Sequence, residues 1–255
     1  MLAIEKLSVQ FGGIHALRDI NLRVAAGEVR GLIGPNGAGK TTLINCISGA
    51  VAPSSGAIRL GEVAVERLQP HVISGLGVSR SFQHVQLFGE RSVRDTVLAG
   101  MHRHIQSGLF AALLGLPSAR GVERAARARS DELLEIFSLT AHADETASAL
   151  PYGLLKRVDL ARSLAAQPKL LLLDEPTSGM SEDEALKSIA LVRDIAKKNA
   201  ITLLVIEHNM RVMMKIAERI TVLHLGQVIA EGSPSRVQQD PRAIEAYLGE
   251  EVSDA

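Results

Sequence analysis

Residues 34–42 constrain the fold of this chain more than any other feature of its sequence. They read Gly-Pro-Asn-Gly-Ala-Gly-Lys-Thr-Thr and match the phosphate-binding pattern G-x-x-x-x-G-K-[ST] at every fixed position. Residues 28–33 before them are mostly apolar and of strand length, and residues 43–47 after them begin a helical pattern. The sequence therefore predicts a strand, a loop and a helix in this order, with a phosphate bound at the loop.

Each part of the loop has a chemical purpose. Its three glycines allow successive N–H groups to turn inward at a helix start, where the helix dipole also favours an anion. Lys40 adds a mobile positive charge for the β and γ phosphates, and the Thr41 hydroxyl can bind the accompanying Mg²⁺. The alternative is a glycine-rich turn that matches by chance. The predicted nucleotide-binding residues are Gly34, Pro35, Asn36, Gly37, Ala38, Gly39, Lys40, Thr41 and Thr42.

A second acidic motif follows an apolar run. Residues 170–173 are four leucines, and Asp174, Glu175 and Pro176 come directly after them. This pattern predicts a strand buried on both faces that ends in two carboxylates, at the edge where ligands gather in open α/β sheets. Asp174 can hold Mg²⁺ through water, and Glu175 can act as the general base toward a water that attacks the γ-phosphate.

Three further residues have an ordinary alternative. His208 follows a predicted strand at 201–206 and can contact the γ-phosphate, but taken alone it is a structural histidine. Gln83 ends a predicted strand at 77–82 and can offer an amide oxygen to Mg²⁺, although its spacing alone does not separate it from a surface glutamine. Phe11 can stack on an adenine ring, whereas a lone phenylalanine is more often part of the core.

Composition limits the class of protein. The chain has 255 residues, enough for one large α/β domain, and its 28 basic and 28 acidic residues give no net charge, so nothing suggests a nucleic-acid partner. No apolar run approaches about 18 residues and the first residues do not resemble a signal peptide, so we expect a soluble chain that is not secreted. The single cysteine, Cys46, is expected to fill the core.

The remaining elements are read from periodicity. Strands are predicted at 3–9, 22–24 and 57–60, and a β-hairpin at 222–225 and 228–231. From residue 91 to about residue 167 helical patterns replace strand patterns. Within this part, residues 108–116 are apolar but too short to span a bilayer, and residues 121–139 form an amphipathic helix with a basic start.

The order of these motifs resembles the nucleotide-binding subunits of ATP-binding cassette (ABC) transporters over nearly the whole chain. The resemblance implies ATP and Mg²⁺ as cofactors. It also implies that Phe11 stacks on adenine, that Gln83 touches Mg²⁺ and moves with a transmembrane partner, and that His208 contacts the γ-phosphate.

One motif departs from the family pattern. The family signature, usually Leu-Ser-Gly-Gly-Gln, faces the ATP of the opposite subunit in a head-to-tail dimer, whereas residues 150–154 here read Leu-Pro-Tyr-Gly-Leu. Pro151 lacks the serine hydroxyl and a backbone donor, and Leu154 lacks the glutamine amide. Tyr152 and Gly153 keep their N–H groups, and proline is tolerated at a helix start. We therefore still expect Pro151, Tyr152 and Gly153 to contact ATP across the dimer.

Shorter motifs resemble the branched-chain amino-acid importer subfamily. These are Leu-Pro-Tyr-Gly, Pro-Thr-Ser-Gly-Met, an insertion near residues 102–120 and the ending Ala-Tyr-Leu-Gly-Glu. The expected fold is an α/β P-loop NTPase core of the ABC ATPase type, doubly wound, with a helical subdomain and an antiparallel β part. The core spans about 1–90 and 165–235, the helical subdomain about 91–165, and a short helical tail 236–255.

The resemblance implies an ATPase that drives solute import. Its expected partners are a second ATPase subunit, transmembrane permease subunits and a separate solute-binding protein, and its expected location is cytoplasmic, on the inner face of the cell membrane. Three alternatives stay open. They are the ATPase of a lipid or lipopolysaccharide exporter, a regulatory or repair ATPase of the cassette type, and a nucleotide-binding module without turnover, which Glu175 disfavours and Pro151 keeps open.

Overall fold

The computed structural model describes residues 1–81, 90–101 and 117–251. Gln83 and the apolar stretch at 108–116 lie outside the described residues. In the described part of the chain, no helix is both long enough and apolar enough to cross a membrane.

A six-stranded sheet forms the centre of the fold. Its strand order is β10-β9-β3-β8-β7-β6, and all neighbours are parallel except β9 and β10, which form an antiparallel hairpin. The predicted α/β class is therefore confirmed. The strands are β3 (Val29–Ile33), β6 (Val78–Arg80), β7 (Leu170–Asp174), β8 (Thr202–Ile206), β9 (Arg219–His224) and β10 (Gln227–Gly232).

A second, antiparallel sheet has the order β2-β1-β4-β5. Its strands are β1 (Leu2–Phe11), β2 (Ile14–Val24), β4 (Ser55–Leu60) and β5 (Val63–Ala64). β2 begins well before the predicted position 22. The reason is irregular pairing, since register shifts interrupt β1 and β2, and Lys6 and Asp19 adopt positive φ values of 48° and 49°. Such irregularities break the alternation of period two by which a strand is predicted.

The helix after the loop and the helices between residues 91 and 167 were predicted, whereas those at 70–75 and 210–216 were not. The helices are α1 (Lys40–Ile47), α2 (Pro70–Gly75), α3 (Val93–Ala99), α4 (Pro117–Ile136), α5 (Tyr152–Ala165), α6 (Glu182–Lys198), α7 (Met210–Ile216), α8 (Pro234–Gln238) and α9 (Pro241–Glu251). α1 begins at Lys40, directly at the loop and earlier than the predicted position 43. α6 begins with a reciprocal capping box between Ser181 and Glu184, which explains its sharp start.

Two apolar cores lie on opposite faces of the six-stranded sheet. One contains Leu170 and Leu172 with α1 and the antiparallel sheet, and the other contains Leu171 and Leu173 with helices α3 to α7. The four leucines thus serve both faces in turn, as the buried strand was predicted to do. Cys46 lies in the first core, where burial raises the pKa of its thiol to about 11, so it fills space as expected.

A buried arginine connects the two sheets. Arg30 of β3 is 2% exposed, and its guanidinium donates to Glu28 Oε1 (2.7 Å), Thr221 Oγ1 (3.0 Å) and the carbonyl oxygen of Arg23 in β2 (2.8 Å). Glu231 Oε1 lies 3.0 Å from the same group. Because a buried charge is tolerated only when it is paired and hydrogen-bonded, this cluster fixes how β2 meets the central sheet.

We predict that Arg30→Met destabilises the chain by about 3 kcal/mol, since it leaves the Glu28 carboxylate buried without its partner. The free energy of unfolding is measured by urea titration. Arg59→Met, at an exposed position of β4, is the control and should change it by less than about 0.5 kcal/mol. Equal effects of the two substitutions would show that the buried cluster does not stabilise the junction.

Candidate functional site

The phosphate loop joins β3 to α1 at the carboxyl edge of the central sheet. Gly34 has a φ of 149°, and a Cβ there would collide with the carbonyl oxygen of Leu223 in β9. Gly39 has a φ of 100°, and its Cβ would lie 2.6 Å from the carbonyl oxygen of Ala16 in β2. Glycine is therefore required at both positions, for backbone conformation and for close approach.

Lys40 is the first residue of α1 and is almost fully buried. Its Nζ donates to the carbonyl oxygens of Gly34 (2.6 Å) and Pro35 (2.7 Å), so the ammonium lies inside the curve of its own loop. Asn36 and Gly37 at the tip of the loop are exposed. This arrangement places a positive charge at a helix N-terminus, beside a turn that a phosphate can reach from solvent.

Asp174 ends β7 at the same edge of the sheet and is 1% exposed. Its Oδ2 accepts a hydrogen bond from Arg80 Nη2 (3.0 Å), whereas its Oδ1, also buried, has no hydrogen-bond partner among the described residues. Burial raises the pKa of the Asp174 carboxyl, and the Arg80 guanidinium partly opposes this rise. An unpartnered buried carboxylate oxygen fits a site for hydrated Mg²⁺.

Glu175 and His208 lie together, although 33 residues separate them in sequence. His208 Nε2 is 2.9 Å from Glu175 Oε1, and the Glu175 N–H donates to the carbonyl oxygen of Ile206 in β8 (3.0 Å). Glu175 has a φ of 49°, a conformation that is uncommon for a residue other than glycine and that occurs often at functional sites. The adjacent parallel strands β7 and β8 thus bring the two predicted catalytic side chains together at the carboxyl edge of the sheet.

Two residues of the site were not predicted from the sequence. Arg80, at the end of β6, also donates through Nη1 to Asn45 Oδ1 in α1 (2.6 Å), so it joins the helix after the loop to Asp174. Buried Glu207 accepts from both the N–H (2.9 Å) and the hydroxyl (2.5 Å) of Thr177, and so fixes the turn after Glu175. A charged residue at the end of a strand was the available signal in both cases.

Phe11 lies at the end of β1, beside the turn to β2, and is 51% exposed. The core alternative is therefore wrong, and the ring can be reached from solvent, while its stacking on adenine stays a prediction. Gln83, the remaining predicted magnesium ligand, lies outside the described residues.

The signature segment stands at the start of α5. Pro151 occupies the N-cap position, where no side chain caps the helix, and Tyr152 and Gly153 begin the first turn. The Tyr152 ring packs on Gly179, where a Cβ would lie 2.6 Å from ring atom Cδ1, and its hydroxyl is 3.5 Å from Ser178 Oγ. The start of α5 therefore packs on the turn that follows β7.

Comparison with known proteins agrees with this geometry. The family model described as "ABC transporter" matches residues 17–178, and the model described as "Branched-chain amino acid ATP-binding cassette transporter" matches residues 227–253. The chain is 39% identical over 250 residues to the high-affinity branched-chain amino acid transport ATP-binding protein LivG of Escherichia coli, with 98% of both chains covered. BraF of Pseudomonas aeruginosa, with the same description, is 38% identical over the same length.

The chain is also similar to an exporter component and to a solved cassette structure. The lipopolysaccharide export system ATP-binding protein LptB of Acidithiobacillus ferridurans is 36% identical over 235 residues, with 92% of this chain and 91% of LptB covered. Among solved structures, a nucleotide-free ATP-binding cassette from an ABC transporter superposes with a TM-score of 0.81 and 29% identity, with 97% of this chain and 98% of that chain covered.

We predict that Lys40→Ala lowers the affinity for ATP by about 100-fold, because a charge-assisted hydrogen bond to the phosphates is lost from a site otherwise made of backbone dipoles. Calorimetric titration measures the affinity. Lys187→Ala, on the exposed face of α6, is the matched control and should bind ATP like the parent chain. Unchanged affinity in Lys40→Ala would refute the assignment of this loop.

Proposed function

The chain belongs to the ATP-binding subunits of ABC transporters, and from this premise we propose that it hydrolyses ATP to drive import of branched-chain amino acids through separate membrane subunits. The ATPase activity is supported chiefly by one observation, the pairing of Glu175 with His208 at the sheet edge that carries the phosphate loop. The choice of solute is supported by the match of residues 227–253 to the branched-chain family model. LptB, an exporter component, is less similar to this chain than LivG is, both in sequence identity and in the share of the chain that is covered.

The proposed binding mode follows the loop. The backbone N–H groups of residues 34–42, apart from Pro35, and the Lys40 ammonium bind the phosphates, and Phe11 stacks on the adenine. Thr41 and Asp174 hold Mg²⁺, with Gln83 as a further ligand. When bound, Mg²⁺ neutralises charge on the phosphates.

The proposed catalytic step uses two side chains. Glu175 accepts a proton from the water that attacks the γ-phosphate, and the new oxygen–phosphorus bond forms as the bond to the β-phosphate oxygen breaks. His208 orients the Glu175 carboxylate through the 2.9 Å contact and faces the γ-phosphate with its exposed side.

A complete ATP site is proposed to need a second subunit. Pro151, Tyr152 and Gly153 would face the ATP of the opposite chain and aim the N-terminus of α5 at its phosphate. The 14 residues of α5 give this terminus a full dipole, and Pro151 and Tyr152 are exposed, as a contact in trans requires.

The remaining assembly is also a proposal. Permease subunits would hold the chain at the inner, cytoplasmic face of the membrane, with a separate solute-binding protein outside. The permease would dock between residues 83 and 116, where Val85, Leu87 and Phe88 would supply apolar contacts; of this stretch, only residues 90–101 are among the described residues. Residues 91–165 would form the helical subdomain, which shares residues 91–116 with this surface, and residues 236–255 a short tail.

We predict that Glu175→Gln binds ATP but lowers turnover at least about 100-fold and accumulates an ATP-bound dimer, because an amide cannot accept the proton of water. Phosphate release and gel filtration with ATP measure the two effects. Glu135→Gln, at an exposed position of α4, is the control.

In membrane vesicles with the permease subunits, the parent chain should support ATP-dependent uptake of leucine, isoleucine or valine. A monomeric variant with normal turnover would place the base elsewhere, and outward transport would favour an exporter.

We predict that Pro151→Ser tightens the ATP dimer about tenfold, because the hydroxyl can cap α5 and can bond to the charged phosphate opposite. The ATP concentration for half-maximal dimerisation, in the Glu175→Gln background, measures this effect. Pro151→Ala is the matched control, since it restores the N–H without a hydroxyl. If the serine and alanine variants behave alike, the hydroxyl contributes nothing.

A further inference from the structure

A buried lysine lies between the signature helix and the catalytic strand. Lys156 of α5 is 1% exposed, and its Nζ lies 5.5 Å from the centroid of the Tyr152 ring and 3.3 Å from the carbonyl oxygen of Glu175. An ammonium removed from water is retained only where electron-rich groups surround it. Here an aromatic face and a backbone carbonyl both serve this purpose, and they belong to different functional segments.

The contact with Glu175 bears on the geometry of the catalytic base. The residue has a φ of 49°, and its backbone is held on both sides, by the N–H bond to Ile206 and by bonds to its carbonyl from Lys156 Nζ and the Ser178 N–H (3.3 Å). Because a left-handed backbone conformation persists only where its surroundings fix it, these bonds determine where the carboxylate points. Lys156 thus helps hold the carboxylate beside His208.

The contact with Tyr152 bears on the signature segment. Tyr152 is the first residue of α5, its ring covers Gly179, and its hydroxyl lies beside Ser178. A displacement of this ring therefore changes the contacts of Lys156 and of the turn after Glu175 together. Through these contacts the start of α5 is mechanically joined to the backbone of the catalytic base.

We propose that Lys156 is a positioning residue that couples the two ATP sites of the dimer. The inference rests on the proposed function, in which Tyr152 faces ATP bound by the partner while Glu175 acts on ATP bound by its own chain. ATP bound by the partner fixes the position of Tyr152. The contacts of Lys156 with Tyr152 and with the Glu175 carbonyl oxygen then fix the orientation of Glu175 at the chain's own ATP site. The two sites then hydrolyse ATP cooperatively.

The test is the dependence of steady-state hydrolysis by the full chain on ATP concentration. The parent chain should show a Hill coefficient above 1, within the limit of about 2 that two sites allow. Lys156→Met should bring it to about 1 and lower kcat about tenfold or more, since the base loses its fixed orientation. Lys156→Arg should restore cooperativity because it keeps the buried cation. Lys187→Met, exposed on α6, is the matched control and should behave like the parent chain.

A second arm changes the exposed end of the same set of contacts. Tyr152→Leu changes an exposed side chain and should also abolish cooperativity. The double variant Tyr152→Leu with Lys156→Met should have a kcat no lower than that of the more impaired single variant. Calorimetric affinity for ADP should stay constant throughout, because the phosphate loop is untouched. Cooperativity retained in Tyr152→Leu or in folded Lys156→Met, or additive losses of kcat, overturn the coupling while the parent ATPase stands. A parent chain without ATP hydrolysis overturns the proposed function itself.

Discussion

The phosphate loop is held by backbone contacts from both sheets, and the site depends on this junction. Gly34 meets Leu223 of β9, and Gly39 meets Ala16 of β2. The turn between β9 and β10 completes it, since the Gly226 N–H donates to the Ala38 carbonyl oxygen (3.1 Å) and its own carbonyl accepts from the Arg18 N–H (2.8 Å). Neither sheet alone would shape the loop, and the buried ion cluster around Arg30 lies where the same two sheets meet.

The parallel arrangement of the central strands determines which side chains reach the loop. β7 and β8 pair in register, so that Asp174 lies opposite Ile206. Glu175, one residue after Asp174, and His208, two residues after Ile206, therefore leave the sheet close together. The order of the strands brings these side chains to the phosphate loop, because β3, which leads into the loop, lies directly beside β8. Chemistry at the carboxyl edge therefore follows from topology, with each strand delivering a different function.

Prediction from the sequence succeeded where the signal is local. The loop pattern, the four leucines and the carboxylates after them are contiguous, and each implies its structure through backbone conformation or periodicity. It failed where partners are distant. Arg80 meets Asp174 across 94 residues, and Thr177 meets Glu207 across 30, so no spacing rule connects them. Lys156 was read only as part of a helix, because the Glu175 carbonyl that it contacts is a backbone group that every residue possesses.

The segment typical of the branched-chain family also borders the phosphate loop. Pro35 and Asn36 share a surface cavity with Leu225, Arg242 and Glu245, of which the last two belong to α9. Arg242 is bound by Asp240 at the start of that helix (Nε to Oδ1 3.2 Å, Nη2 to Oδ2 3.0 Å), so its charge is largely compensated locally. The affinity of the loop for phosphate therefore depends on the Lys40 ammonium and on oriented N–H groups, and less on a surrounding positive field. A chain with no net charge can bind a polyanion in this way, because local backbone dipoles and one lysine act at short range, where net charge matters little.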